Sequence, residues 1–186
     1  MSFQPQNKSE LETAVNEWID NNSQALIDYG EINTWDTSLI EDMSNLFENK
    51  ETFNDDINSW DTSNVKNMRL MFNRATIFNQ DISSWNTSNV ENMYGIFGRA
   101  VNFNKPLNSW DVSKVINMQY MFSGYNESGI GITYSSFNQP LNNWDVSNVT
   151  QMGSMFSFGI FNQDINNWDV SNVNFINWMF HHAINF

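Results

Sequence analysis

The sequence contains no cysteine, which excludes disulfides, thiolate metal sites and cysteine nucleophiles together and leaves the redox compartment unencoded. Its two histidines, His181 and His182, are adjacent near the C-terminus. A Ser-His or Cys-His nucleophile would have to assemble at a fraying end, and neighbouring histidines point apart, so neither that chemistry nor a zinc site is expected. Basic residues are scarce as well: eight Lys plus Arg stand against 21 Asp plus Glu, a formal charge of −13. Such a field repels phosphate backbones and anionic lipid, so no nucleic-acid partner is expected. No hydrophobic run reaches membrane-spanning length, and residues 1–8 lack the apolar stretch of a signal peptide. A glycine-rich phosphate loop is missing too.

What is present is a repeat. The 186 residues, 40% hydrophobic and 15% aromatic, suffice for one domain with a continuous core. Trp35, Trp60, Trp85, Trp110, Trp144 and Trp168 recur at separations of 25, 25, 25, 34 and 24 residues, the period of a solenoid. Within each unit two shorter periods alternate. Ser59 to Ser63 read out, in, out, in, out, with Trp60 and Thr62 inward, which predicts a short strand. Val65, Met68, Met71 and Phe72 then follow at three- and four-residue spacing, which predicts a helical turn or two. Ser63 is placed as its N-cap, and Ser88 with Glu91 and Ser38 with Glu41 read as capping boxes.

Stacked units would align these residues in columns, because one unit cannot bury its own apolar face. The columns are Ile40, Val65, Val90, Val115, Val149 and Val173; Met43, Met68, Met93, Met118 and Met152 with Ile176; and Phe47, Phe72, Phe97, Phe122, Phe156 and Phe180. They read as core, since thioethers fill gaps between rings. Asn54, Asn79, Asn104, Asn138 and Asn162 each follow a Phe at a corner, where a side-chain amide can satisfy the backbone of the adjacent unit. The expected fold is therefore an α/β solenoid, a leucine-rich-repeat-like right-handed superhelix of six coils over residues 31–186. Residues 1–30 form an N-terminal capping helix with the stripe Leu11, Ala14, Val15, Trp18 and Ile19, continued by Ala25, Leu26 and Ile27. An insert at about 123–134 bulges as a loop, either a tolerated length variant or a contact surface.

The run Leu141-x-x-Trp144-x-Val146-Ser147-x-Val149-x-x-Met152-x-x-Met155-Phe156 resembles the leucine-rich repeats of BspA-like surface proteins. The Trp-Asp-Thr/Val-Ser-Asn-Val and Phe-Asn-Gln phrases are similar to repeats of mycoplasma-type surface lipoproteins of that group, and residues 25–36 resemble the segment that leads into such arrays. The resemblance implies a repeat array at the cell surface or outside the cell, with adhesion or host contact as its role, no cofactor and no catalytic residues. A lipobox cysteine is lacking here.

The expected function is a non-catalytic binding or surface-interaction module for a protein or glycan. The alternative is a glycan-active solenoid enzyme using clustered acids such as Asp55, Asp56, Asp81 and Asp164, although these recur as part of the repeat. The candidate surface is the outward polar ladder Ser59, Asp61 and Ser63, then Ser84, Asn86 and Ser88, continued by Asp36, Asp111, Asn143, Asp145 and Asp169. Tyr125 and Tyr134 of the insert join it, as tyrosine supplies rigid amphipathic contact area. Stacked aspartates about 5 Å apart repel. Raised pKa values, the interruption at Asn86, or a bound cation would relieve this, with calcium ranked below simple solvation. At the C-terminus the array stops in mid-phrase, so Trp168, Val170, Ile176 and Phe180 are expected along an uncovered edge. That edge points to a longer parent array or to self-association, unless Phe186 and a final helix fold over it.

Overall fold

The computed structural model describes residues 2–127 and 131–185. Helix α1 (Lys8–Asp20) and helix α2 (Asn22–Asp28) are followed by a 3-10 turn at Ile32–Thr34, and the insert carries a two-stranded antiparallel hairpin, β1 (Tyr125–Glu127) with β2 (Gly131–Thr133). The expected capping helix is thus two helices. The chain breaks at Asn21, whose N–H closes α1 on the carbonyl of Glu17. The break turns Ile27 to solvent, 77% exposed, while Leu11, Ala14, Val15 and Trp18 stay buried. Helix α1 is capped by Asn7, whose side chain accepts from the N–H of Glu10 at 3.0 Å.

Trp18 closes the first unit by meeting Trp35 edge-on at 6.0 Å, and its indole donates to Asp55 at 2.9 Å. From Trp35 onward each unit lies against the next. Phe47, Phe72, Phe97, Phe122, Phe156 and Phe180 stack at 5.3–5.8 Å, and a second column of Phe53, Phe78, Phe103, Phe137 and Phe161 runs beside it at 5.9–6.2 Å. Within each unit the two columns touch at 3.7–4.1 Å, which locks them into one zipper. The Met column from Met43 to Met152 is fully buried behind it.

Polar side chains tie the same units together. The indole Nε1 of Trp60, Trp85, Trp110, Trp144 and Trp168 donates to the carbonyl of Ile32, Ile57, Ile82, Leu107 and Leu141 in the unit before, at 2.8–3.2 Å. The corner asparagines form a second ladder: the amide oxygens of Asn54, Asn79, Asn104 and Asn138 accept the backbone N–H of Asn79, Asn104, Asn138 and Asn162. Replacing Trp110 by Phe keeps most of the ring but orphans the buried carbonyl of Ile82, which should cost about 1–3 kcal/mol. Denaturant unfolding measures it, and a loss below about 0.5 kcal/mol would show that the indole bond adds no stability.

The local geometry of the units differs from the expected strand and helix. Side chains alternate as anticipated, with Trp60 and Thr62 buried and Ser59 and Asp61 exposed. The stretch nevertheless makes no strand pairing; instead the Thr62 hydroxyl donates to the carbonyl of Asn86 at 3.0 Å. From Met68 to Ala75 the chain is a succession of turns. The N–H groups of Met71, Asn73 and Ala75 bond three residues back, while those of Met68, Leu70, Phe72 and Arg74 cross to carbonyls of the next unit at Asn92, Tyr94, Ile96 and Gly98. Two left-handed residues produce this, Leu70 (φ 55°) and Arg74 (φ 61°), and no α-helix accommodates them. Ser63 and Ser88 accordingly cap no helix. Each instead donates its own N–H to the side chain two residues earlier, Asp61 and Asn86.

The insert emerges between two units. Gly124 at its base donates to the carbonyl of Ser157, and Ser135 to that of Phe158. The bulge is therefore a hairpin hydrogen-bonded into the stack. Residues 128–130, between β1 and β2 in sequence, lie outside the described residues.

Candidate functional site

The expected polar ladder occupies one exposed edge, and its members are engaged locally. Asp61, Asn86, Asp111, Asp145 and Asp169 each accept the N–H of the residue two positions on, at 2.9–3.1 Å, forming a column of side-chain turns. Ser59 donates to Asn33, and the N–H of Asn143 to the side chain of Asn108. Raised pKa values are not how repulsion is met. The side-chain hydroxyl and then the backbone N–H of Ser113 hold the Asp111 carboxyl below its ordinary range, and Ser147 does the same for Asp145, outweighing the opposing push from Asp111 and Asp169. Asp169 is lowered by Ser171, Asp36 by Ser38 and Asp81 by Ser83.

A depressed folded-state pKa contributes stability that is present above the unfolded carboxylate value of about 3.9 and is lost as pH falls through the folded values. The melting temperature should therefore hold from neutrality to about pH 4 and fall below it. Asp145→Asn, which keeps the turn, should lose less in acid than the parent. Identical acid profiles for the two chains would contradict this role for the column.

The hollows lined by the arginines are formed by a different part of each unit. A groove of about 550 Å³ is lined by Asn49, Arg69, Leu70, Asn73, Arg74, Tyr94, Arg99, Tyr120 and Ser123, with Glu48 at one end. A second hollow of about 340 Å³ shares Arg99, Tyr120 and Ser123 and extends past the hairpin to Tyr125, Phe158, Trp178 and His181. Arg69, Arg74 and Arg99 are the only arginines of the sequence, and all three are here. Among the described residues the ion pairs are made by Lys8 and Lys66, not by these arginines. Two of the guanidiniums lie against rings: Arg69 over Tyr94 at 5.1 Å, and Arg99 over the hairpin's Tyr125 at 5.3 Å. Glu51 and Glu127 flank the Arg74–Arg99 end.

The local fold explains the position of these side chains. The left-handed residues of successive units fall in two registers, Asn45, Leu70, Gly95, Tyr120, Ser154, Trp178 and Asn49, Arg74, Arg99, Phe158, His182. Gly95 has φ 58°, and a Cβ there would meet the Leu70 side chain at 2.7 Å, so this glycine both tolerates the turn and leaves room for Leu70, which lines the groove. Of the expected contact residues, the structure brings Tyr125 into the groove. Tyr134 lies half-buried just beyond β2, and the ladder from Ser59 to Asp169 lines neither hollow. The arginine face went unread in the sequence. Its signal is the 25-residue spacing of Arg74 and Arg99, the same period as the tryptophans.

The last unit is partly as expected. Val170, Ile176 and Trp178 are 42, 46 and 67% exposed. Trp168, expected on the open edge, is instead buried, because it packs on Phe156 and donates to Leu141. Residues 178–183 are turns rather than a closing helix, and Phe186 lies outside the described residues. Among the described residues no helix is long and apolar enough to cross a membrane, and no group of three or more acidic or histidine side chains is placed to hold a metal ion.

No curated protein and no solved structure matches the chain. A family model matches residues 13–133 and again 132–186, two stretches that meet inside the hairpin insert. On that match over nearly its whole length, the chain belongs to the family described as "Mycoplasma protein of unknown function, DUF285".

Proposed function

We propose that the chain is a non-catalytic binding module built as a solenoid of BspA-like surface-protein type, and that the arginine–tyrosine groove is where its protein or glycan ligand sits. One observation carries this reading: a chain of formal charge −13 collects its three arginines in a single groove, two of them over tyrosine rings and all three outside the ion pairs found among the described residues. Backbone strain supports it. A left-handed conformation costs a bulky L-residue about 1–2 kcal/mol, and Asn or Gly much less. The repeat itself holds Asn45, Asn49 and Gly95 at equivalent positions, yet places Arg74, Arg99, Tyr120 and Trp178, with Leu70, Ser154, Phe158 and His182, at the others. Strain of this kind gathers at functional surfaces.

The alternative of a glycan-active enzyme fits the acids less well. Asp81 and Asp164 each accept a backbone N–H two residues on, Asp56 accepts from Asn58 and Asn33, and Asp55 holds the indole of Trp18. Each is committed to the scaffold.

An array of glycans and extracellular-matrix proteins, probed with three chains, tests the proposal. The parent should be captured, R69N/R74N/R99N should lose capture while melting no lower than the parent, and D111N/D145N should behave as the parent. Capture that survives loss of the arginines would overturn the groove as the site, and capture lost only in the aspartate variant would move the site to the polar ladder.

A further inference from the structure

We infer that the groove's ligand is an oligosaccharide carrying one or a few carboxylates, read by Arg74 and Arg99 together with the tyrosine faces beside them. This rests on the binding-module reading above and specifies its ligand class. A planar guanidinium matches a carboxylate with two parallel hydrogen bonds, and Arg74 and Arg99 occupy the same register of adjacent units, about 5 Å apart along the stack. Tyr120, 38% exposed, lines both hollows and shares the second with Arg99 and the hairpin's Tyr125, offering flat apolar area to the C–H face of a sugar ring. Asn49, Asn126 and Ser154 supply the short polar groups that hydroxyls need.

Three features weigh against the other acidic ligands. A peptide added as a strand requires free backbone groups, but along the groove the N–H groups of Leu70, Arg74, Gly95 and Arg99 are already bonded to the next unit. The groove is also lined by polar and charged side chains, Leu70 being its one aliphatic residue, so it offers few aliphatic anchors for peptide side chains. A densely sulfated polymer would meet the negative field of the rest of the molecule, with Glu48, Glu51 and Glu127 at the groove's ends. Isolated carboxylates on an otherwise neutral sugar satisfy both the arginines and that field.

The test is a ¹⁵N–¹H NMR titration of the full chain with trigalacturonate and sialyllactose, beside carboxyl-reduced trigalacturonate, lactose and a triglutamate peptide. At least one acidic sugar should shift the amides of Gly95, Gly98 and Tyr120, with its neutral counterpart about tenfold weaker or more, the size of one lost charge-assisted contact. R74N and R99N should each weaken it by a similar factor with unchanged melting, while D111N should leave it intact. The inference is overturned if neither acidic sugar moves those amides, if the neutral sugar binds equally, or if triglutamate binds as tightly. In each of those cases array capture that still depends on the arginines leaves the groove as the binding site and changes only its ligand, whereas capture indifferent to them removes the site itself.

Discussion

Replacing Phe97 by Ala is expected to destabilise the chain by about 3–5 kcal/mol, the range for truncating a buried aromatic. Phe97 is 1% exposed and sits at the crossing of both columns, stacked on Phe72 and Phe122, on Phe103 within its own unit, and tilted against Trp110. A domain of this size has about 5–15 kcal/mol in all, so the loss is a large share of it. In a stack where each unit contacts only its neighbours, the damage should concentrate at the middle units. Hydrogen exchange should accelerate most at Phe72, Gly95 and Phe122 and least in α1. A uniform acceleration, or a cost under about 1 kcal/mol, would mean that the columns are not the source of cohesion.

The second large effect is expected at Gly124, where the insert leaves the stack. An added Cβ would lie 2.2 Å from the carbonyl oxygen of Phe158, 2.4 Å from that of Thr133 and 2.9 Å from the N–H nitrogen of Ser135. All three are backbone atoms: the Ser135 N–H donates to the Phe158 carbonyl and Thr133 pairs with Tyr125 across the hairpin, so the hairpin base has to move. Gly124→Ala should cost about 1–3 kcal/mol. It should also carry Tyr125 off the guanidinium of Arg99, weakening ligand binding through the hairpin without touching an arginine. Gly131→Ala is the companion substitution: the space around Gly131 is empty, though its φ of 97° is itself strained for Ala. An unchanged melting temperature and an undisturbed Tyr125 ring signal in Gly124→Ala would contradict the position assigned to the hairpin.

The core was legible in the sequence because burial follows side-chain chemistry and period. Trp, Met and Phe recur at fixed spacing, and those columns are buried up to the last unit, where Ile176 turns to solvent. The path of the backbone between those side chains was not legible. Residues three and four apart share a face in a helix, and Met68, Met71, Phe72 and Ala75 share one equally well in a succession of turns. Only the φ of Leu70 and Arg74 separates the two, and bulky residues give no advance sign of left-handed backbone. The polar edge was found, but its aspartates are occupied in turns with Ser113 and Ser147. The groove escaped because its parts are distant in sequence: Arg69 and Tyr94 meet from neighbouring units, and Arg99 meets Tyr125 only once the hairpin is hydrogen-bonded in place.

The most direct test of the groove is a crystal structure of the chain with the acidic trisaccharide bound. A carboxylate is expected within about 3 Å of the guanidinium of Arg74 or Arg99, with a sugar ring over Tyr120 or Tyr125 and the aspartate column unoccupied. A sugar lying along Asp111 and Asp145, or one in the groove with its carboxylate turned to solvent, would contradict this expectation.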